Sequence, residues 1–432
     1  MKKYLKFLQK SLYALFLIVC FSLEGATVIH AGSLLDGTGS EPLREMSIVI
    51  DDQVITRVER GYIEPEPDDI YLDLTGYFVL PGLIDMHVHL SSEYSSKSYE
   101  ESISLNSSDY AIKAVANAKK TLLAGFTSVR NLGDSGNVTV SLRNAINKGI
   151  VPGPRIFSSG KTISSSGGHG DPTNSLRSDL SSDPGPAQGV INNSSDSFKA
   201  VRYRYKENAD LIKITATGGV LSNAKNGQNP QMTSEEISAI VSAARDYGFK
   251  VAAHAHGAEG IKRAVIAGVD SIEHGTLMDS EGMKLMREKG TYFVPTLLAG
   301  AWVADKAKTD GFFPELVRPK ALEIGPQSKT TFAKAYQAGV KIAFGTDTGV
   351  SSHGKNAEEF YEMVDAGMPE IQAILSATKE ASILLGQNSM LGSITVGKYA
   401  DIIAVSENPL ENIRTLEAVD FVMKSGDIYK SP

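Results

Sequence analysis

Leu80-Pro-Gly-Leu-Ile-Asp-Met-His87-Val-His89-Leu90 is the stretch that decides the fold: an apolar run that ends in two histidines separated by one residue. On a strand, residues two apart share a face, so both imidazoles can reach one metal ion from a single strand end. Pro81 and Gly82 mark the chain's entry into that strand. Alone, such a pair would read as two polar residues at a strand-to-loop junction. The other candidate ligands repeat the pattern, however. His254 closes Lys250-Val-Ala-Ala-His, His274 closes Ser271-Ile-Glu-His, and Asp347 follows Ile342-Ala-Phe-Gly-Thr, each at the end of a short strand-like segment.

Apolar strands of four to six residues alternate with helical patterns through the middle of the chain, which argues for βα units and a parallel sheet. Eight candidate strands end near His87, Arg130, Ser158, Ile214, His254, His274, Thr296 and Thr346. This predicts a (β/α)8 TIM barrel with its active site at the C-terminal strand ends. Helical periodicity runs over Ala111 to Ala124 and Ser234 to Tyr247, the latter opened by Thr233-Ser-Glu-Glu. Short strands with glycine and proline turns occupy both chain ends, and they are expected to form one small β-sandwich domain. The predicted division is a signal peptide over 1–26, a composite β domain over 27–81 and 388–432, and a metal-dependent hydrolase barrel over 82–387. The Ser/Gly/Asn/Asp-rich stretch from Lys161 to Ser197 is too long for a simple connection and reads as a disordered insertion or an active-site loop.

Bulk properties narrow the partners. The 432 residues are 42% hydrophobic and 22% charged, as in a soluble globular protein that one large α/β unit can nearly fill. A net charge of -7 gives no reason to expect nucleic acid or an anionic membrane. Lys2, Lys3, Lys6 and Lys10 precede an apolar stretch from Leu12 to Leu23, with Gly25 and Ala26 behind it, the order of a secretory signal peptide. Its removal takes a net +3 from the chain and leaves -10. The mature protein is then expected to be secreted or periplasmic and free of the membrane. Cys20 is the single cysteine and lies inside that leader, so disulfide and thiolate chemistry are excluded afterwards. Leu17-Ile-Val-Cys lacks the small residues that precede a lipidated cysteine.

Lys213 lies in Ala209-Asp-Leu-Ile-Lys-Ile-Thr-Ala-Thr-Gly-Gly219, between isoleucines on a strand that a barrel would bury. A bare ammonium is costly there. It could be paired with an acid, be neutral, or react with carbon dioxide to give a carbamate that bridges two metals.

At these positions the sequence resembles the amidohydrolase superfamily, and within it metallo-dipeptidases and carboxypeptidases related to imidazolonepropionase. The carriers are Pro81-Gly-Leu-Ile-Asp-Met-His-Val-His89, Lys213-Ile-Thr-Ala-Thr-Gly-Gly219, His254-Ala-His-Gly257, Ile272-Glu-His-Gly275 and Gly345-Thr-Asp-Thr-Gly349. The resemblance implies two divalent metal ions, with His87 and His89 on one, His254 and His274 on the other, and a carboxylated Lys213 bridging them. Asp347 would bind metal and act as general base. Imidazole and carboxylate ligands favour zinc, with manganese or cobalt as substitutes.

Four further residues are candidate substrate contacts. His256 shares the strand face of His254, and His169 sits in the glycine-rich Ser166-Gly-Gly-His-Gly-Asp171. His353 follows Asp347 by six residues and reads equally as a solvated loop residue. Arg130 could bind a substrate carboxylate or form a salt bridge inside the barrel. The implied activity is hydrolysis of a dipeptide or a short peptide's C-terminal bond, at proline or at arginine and lysine, which these motifs do not separate. Another cyclic or acyclic amide hydrolase is the alternative, and a catalytically dead periplasmic binding protein is a reading from a different class. No feature gives the oligomeric state, and a homo-oligomer stays open.

Overall fold

The strand Leu83–Val88 is buried at every position, as an apolar strand covered on both faces must be. In the computed structural model, which describes residues 25–39, 41–224 and 227–432, it pairs in parallel with Phe126–Asn131, and that strand pairs in parallel with Arg155–Ser158. A second parallel sheet runs through Ile212–Thr215, Val251–Gly257, Ser271–Leu277 and Tyr292–Val294. Helices such as Ser107–Leu123, Ser234–Asp246, Ala258–Ala267 and Ser280–Lys289 connect successive strands, which makes the arrangement α/β. The leader expected over 1–26 lies, but for its last two residues, outside the described residues.

Local chemistry sets the helix starts. Thr233 Oγ1 accepts from the Glu236 N–H at 3.2 Å, and the Glu236 carboxylate accepts from the Thr233 N–H at 2.8 Å. Such a reciprocal cap contributes about 1 kcal/mol and holds the helix start where the sequence placed it. The helix expected from Ala111 begins one turn earlier, because Asp109 accepts from the Asn106 N–H at 2.9 Å.

Seven of the eight expected strands form, while the eighth departs from expectation. Residues 342–348 contribute isolated parallel bridges, Ile342 to Phe293 and Thr348 to Val88. Asp347 has φ 57°, a left-handed turn that ends the extended repeat. On the other side, Ile163 bridges Ile214. Regular pairing thus makes one three-stranded and one four-stranded sheet, linked at their edges by single bridges.

The chain ends share a seven-stranded sheet in the order Asp427–Lys430, Phe421–Lys424, Ile402–Val405, Ile70–Pro81, Thr27–Leu34, Leu43–Asp51 and Val54–Arg60. The expected sandwich called for two facing sheets. Here one sheet curls until Val54 bridges Tyr399, enclosing its own core of Ile29, Leu34, Ile48, Ile55, Ile402 and Phe421. Ile70–Pro81 continues through Gly82 into Leu83–Val88, so this sheet anchors the strand that carries His87. Among the described residues no helix is long and apolar enough to cross a membrane.

The stretch from Lys161 to Ser197 is ordered against the parallel sheets. Ser164–Ser165 pairs in parallel with Val190–Ile191, and the buried Arg204 donates to the carbonyls of Lys161 (3.0 Å) and Ala187 (2.8 Å), tying the start of the loop to its later part.

Candidate active site and metal centre

A cavity of about 200 Å³ opens at the C-terminal strand ends and is lined on one side by His87, His89, Lys213, His254, His274 and Asp347. All six expected ligands therefore converge. Asp347 Oδ1 lies 3.4 Å from His87 Nε2 and 3.2 Å from His89 Nε2. The ligand atoms of these three residues lie within 4.8 Å of one another. The ring of His274 sits 5.0 Å from that of His87 and 4.6 Å from that of His254, centroid to centroid.

Each of the four candidate ligand histidines has one ring nitrogen engaged. His87 Nδ1 donates to Glu273 at 3.0 Å, His89 Nδ1 to the Gly133 carbonyl at 3.2 Å, and His254 Nε2 to the Gly218 carbonyl at 3.0 Å. Because these partners only accept, the proton sits on the named nitrogen and the lone pair on the other is free for a metal. His274 Nδ1 meets the Thr296 hydroxyl at 2.8 Å. Oriented imidazoles of this kind are what metal ligands require from their surroundings. Burial pushes the His87 imidazole down to about 4, with the Lys213 charge adding to it, and drives His254 and His274 well below the usual range. Neutral imidazoles at physiological pH are the ligating form. The donor set thus fits divalent ions of the zinc type.

Burial lowers Lys213 to about 8, against the opposing pull of Glu273 and Asp347. Asp347 behaves the other way: burial would raise its carboxyl, but His87, His89 and Lys213 outweigh it and hold it below the ordinary range. Backbone strain concentrates here. His274, Thr296 and Asp347 all have positive φ, at 71°, 52° and 57°, and such costs persist where the surroundings over-determine the conformation.

Two acids that the sequence reading left without a role hold this geometry. Asp85 is fully buried and ties the first strand to the Asp347 segment. It accepts from the His87 and Thr346 N–H groups (3.0 and 3.1 Å), the Thr346 hydroxyl (2.6 Å) and the Asn356 amide (2.8 Å). Its position two residues before His87 on the same strand was the available signal. Glu273 bridges His87 to Arg130 Nη2 (2.7 Å), with the Ser271 hydroxyl at 2.5 Å.

That network accounts for Arg130. Its guanidinium also donates to the Met86 carbonyl (2.6 Å) and Ser271 Oγ (3.0 Å), is 2% exposed, and lies away from the lining of the cavity. It is engaged in the salt bridge inside the fold rather than offered to a substrate. His353 likewise turns away. Its Nε2 meets the carbonyls of Ser92 (2.9 Å) and His89 (3.2 Å), which leaves it bracing the backbone behind His89. His169 and His256 do line the cavity. His256 Nδ1 meets Thr276 Oγ1 at 2.9 Å, and the His169 ring packs 4.4 Å from that of His254 with Nδ1 on the Ser222 hydroxyl. The 161–197 loop supplies Thr162, His169 and Gly170 to the lining, which settles it as part of the cavity wall.

The other wall is apolar: Val220, Leu221, Ala299, Val303, Ile324 and Val350. Behind it Tyr94, Trp302, Phe312 and Phe313 pack as an aromatic cluster. Dispersed valines and isoleucines in the sequence gave no sign of this convergence.

The profile of the amidohydrolase family matches residues 78–429. A solved Xaa-Pro dipeptidase with methionine bound in its active site is 56% identical and superposes with a TM-score of 0.92, covering 94% of this chain and 100% of that one. A prolidase solved in complex with N-methylphosphonate-L-proline is 32% identical with a TM-score of 0.86, over 94% and 100% of the two chains. Ochratoxinase of Aspergillus niger is 32% identical over 429 residues, 94% of this chain and 87% of that protein. The chain belongs to the amidohydrolase family. It is a hydrolase of amide or peptide bonds.

Proposed function

We propose that the chain hydrolyses dipeptides or short peptides and releases the C-terminal amino acid, using two divalent ions, zinc first among them. His87 and His89 would hold one ion, His254 and His274 the other, with Lys213 between them and Asp347 completing the set. The observation that carries this reading is the convergence of four imidazoles, each with one ring nitrogen engaged, one lysine and one aspartate on one cavity. We also infer that the 342–348 segment completes an eight-stranded barrel, which its bridges to both neighbouring strands support.

When bound, divalent ions supply Lewis acidity, which polarises a scissile carbonyl and makes water acidic enough to attack near neutral pH. Asp347 takes the proton from the attacking water and passes it to the leaving amine. Lys213, lowered toward 8 by burial, presents a fraction of neutral amine to carbon dioxide. The nitrogen bonds to carbon, a proton leaves, and a carbamate replaces the buried cation with an anion suited to two metals.

The lining favours an apolar substrate side chain over a basic one. Among the described lining residues the single carboxylate is Asp347, which is committed to the metal set. A lysine or arginine side chain would be desolvated there without a counter-charge, whereas proline, methionine or leucine would meet the Val303, Ile324 and Val350 wall. This supports Xaa-Pro dipeptides over C-terminal arginine or lysine. The complete ligand set supports an enzyme over a dead binding protein. Metal analysis together with amino-acid release from a dipeptide panel tests the proposal. Turnover of Met-Pro or Leu-Pro with metal present is expected, and hydrolysis confined to non-peptide amides would move the assignment to the alternative.

A further inference from the structure

The segment Gly219 to Ala224, which follows the Lys213 strand, roofs the cavity. Val220 and Leu221 line it, and the Ser222 hydroxyl meets His169 Nδ1. The roof and His169 interlock: a Cβ on Gly219 would overlap the His169 imidazole, so this position must be glycine for the ring to pack as it does. His169 is fixed from its own side by Gln231, whose side-chain oxygen accepts the His169 N–H at 2.8 Å.

Lys320 holds this roof from the neighbouring helix. Its ammonium donates to three carbonyls of the segment, Ser222 at 2.7 Å, Ala224 at 2.8 Å and Gly219 at 3.3 Å. The placement is not favoured by the residue's own helix, Arg318–Gln337, because a cation in the first turn opposes the helix dipole. The half-buried ammonium gains its hydrogen bonds from the roof, and the irregular backbone of the roof gains partners for three carbonyls from the ammonium. Each therefore stabilises the closed arrangement of the other. The same helix contributes Ile324 and Ser328 to the lining, so the latch and the apolar wall move as one body.

We propose that Lys320 is a positioning residue that latches the 219–224 segment over the cavity, presetting His169, Val220 and Leu221 for substrate. The kinetic part rests on the function proposed above. The latch itself does not, and the experiment separates the two. Lys320→Met is expected to raise KM for an apolar dipeptide by roughly 10- to 100-fold, the size of a lost charge-assisted hydrogen-bond set, with kcat within about threefold. Metal content should be unchanged. Brief subtilisin digestion with mass-spectrometric mapping should cut the variant within 219–224 at a conformation the parent protects. For rescue, Lys320→Cys in a Cys20→Ser background leaves one thiol. Its thiolate displaces bromide from 2-bromoethylamine, restoring an ammonium one sulfur atom removed from the lysine. Alkylation should return both KM and protection, while Lys320→Met treated alike stays impaired.

Unchanged KM and unchanged cleavage in Lys320→Met would overturn the latch. So would parallel loss of kcat, metal and stability, which marks a purely structural lysine, and so would a failure of aminoethylation to restore protection. If the parent turned over no dipeptide, the proposed function would fail while the digestion and rescue still decided the latch.

Discussion

Replacing Arg130 by methionine keeps most of the buried volume and removes the positive charge that faces Glu273. In the parent, burial alone would push the Glu273 carboxyl up, but Arg130 and His87 outweigh it and hold it at about 2. The carboxylate is 0% exposed and the guanidinium 2%. Breaking a buried pair from one side costs on the order of 3–5 kcal/mol, because the remaining charge has no counterpart. The expected loss for Arg130→Met falls in that range, read by urea denaturation of the metal-free protein at pH 7. The pH dependence carries the mechanism. In the parent, a depressed carboxyl contributes stability that is present above its unfolded value of 4.5 and lost only as the pH falls through about 2. Without Arg130 the charge that most opposes burial is gone, and the Glu273 carboxyl is expected to rise above 4.5 in the folded variant. Stability is then recovered as the pH falls from neutral toward 4.5, a window in which this carboxyl leaves the parent's stability flat. Arg130→Met with Glu273→Leu removes both charges and should regain most of the loss. Metal affinity should be about 10- to 100-fold weaker in the double variant, where His87 has lost its orienting carboxylate. A single variant within about 1 kcal/mol of the parent, or a double variant no better than the single, would refute the charge-pair reasoning.

Two other outcomes follow from the site and one from the N-terminal leader. Lys213→Ala should lose bound metal and turnover together, with partial return on adding bicarbonate or a short-chain acid; a variant that keeps two ions and normal turnover would remove the bridging role. Asp347→Asn should fold and lose on the order of 10²- to 10⁴-fold in kcat, and a fall below about tenfold with metal retained would pass the proton transfer to another group. Exported protein should begin near residue 27, and N-terminal sequencing that returned Met1 from that fraction would argue against a cleaved leader.

The clustering of the candidate ligands was legible because a strand's two-residue repeat turns spacing into direction. His87 and His89, and the closing positions of His254 and His274, sit where the periodicity said they would. Seven strands were legible for the same reason. The eighth did not form as a regular strand: 342–348 makes only isolated bridges and turns left-handed at Asp347, and nothing in Gly-Thr-Asp-Thr-Gly states φ for the central aspartate. Arg130 illustrates the same limit. Its neighbours Ser271 and Glu273 lie more than 140 positions away, so only the folded chain shows that its charge is already matched. Strands at both chain ends were legible, but alternating strands do not distinguish one curled sheet from two facing ones; the register of Ile70–Pro81 against both Thr27–Leu34 and Ile402–Val405 does. Lys320 lay beyond reach for a related reason, since its partners are main-chain carbonyls, which every residue possesses.

The most direct test of the central claim is a zinc titration of the metal-free enzyme, following release of free proline from Met-Pro. Activity should rise with added metal and level off at two equivalents per chain. A plateau at one equivalent, or full activity in verified metal-free protein, would contradict the two-ion account of this cavity.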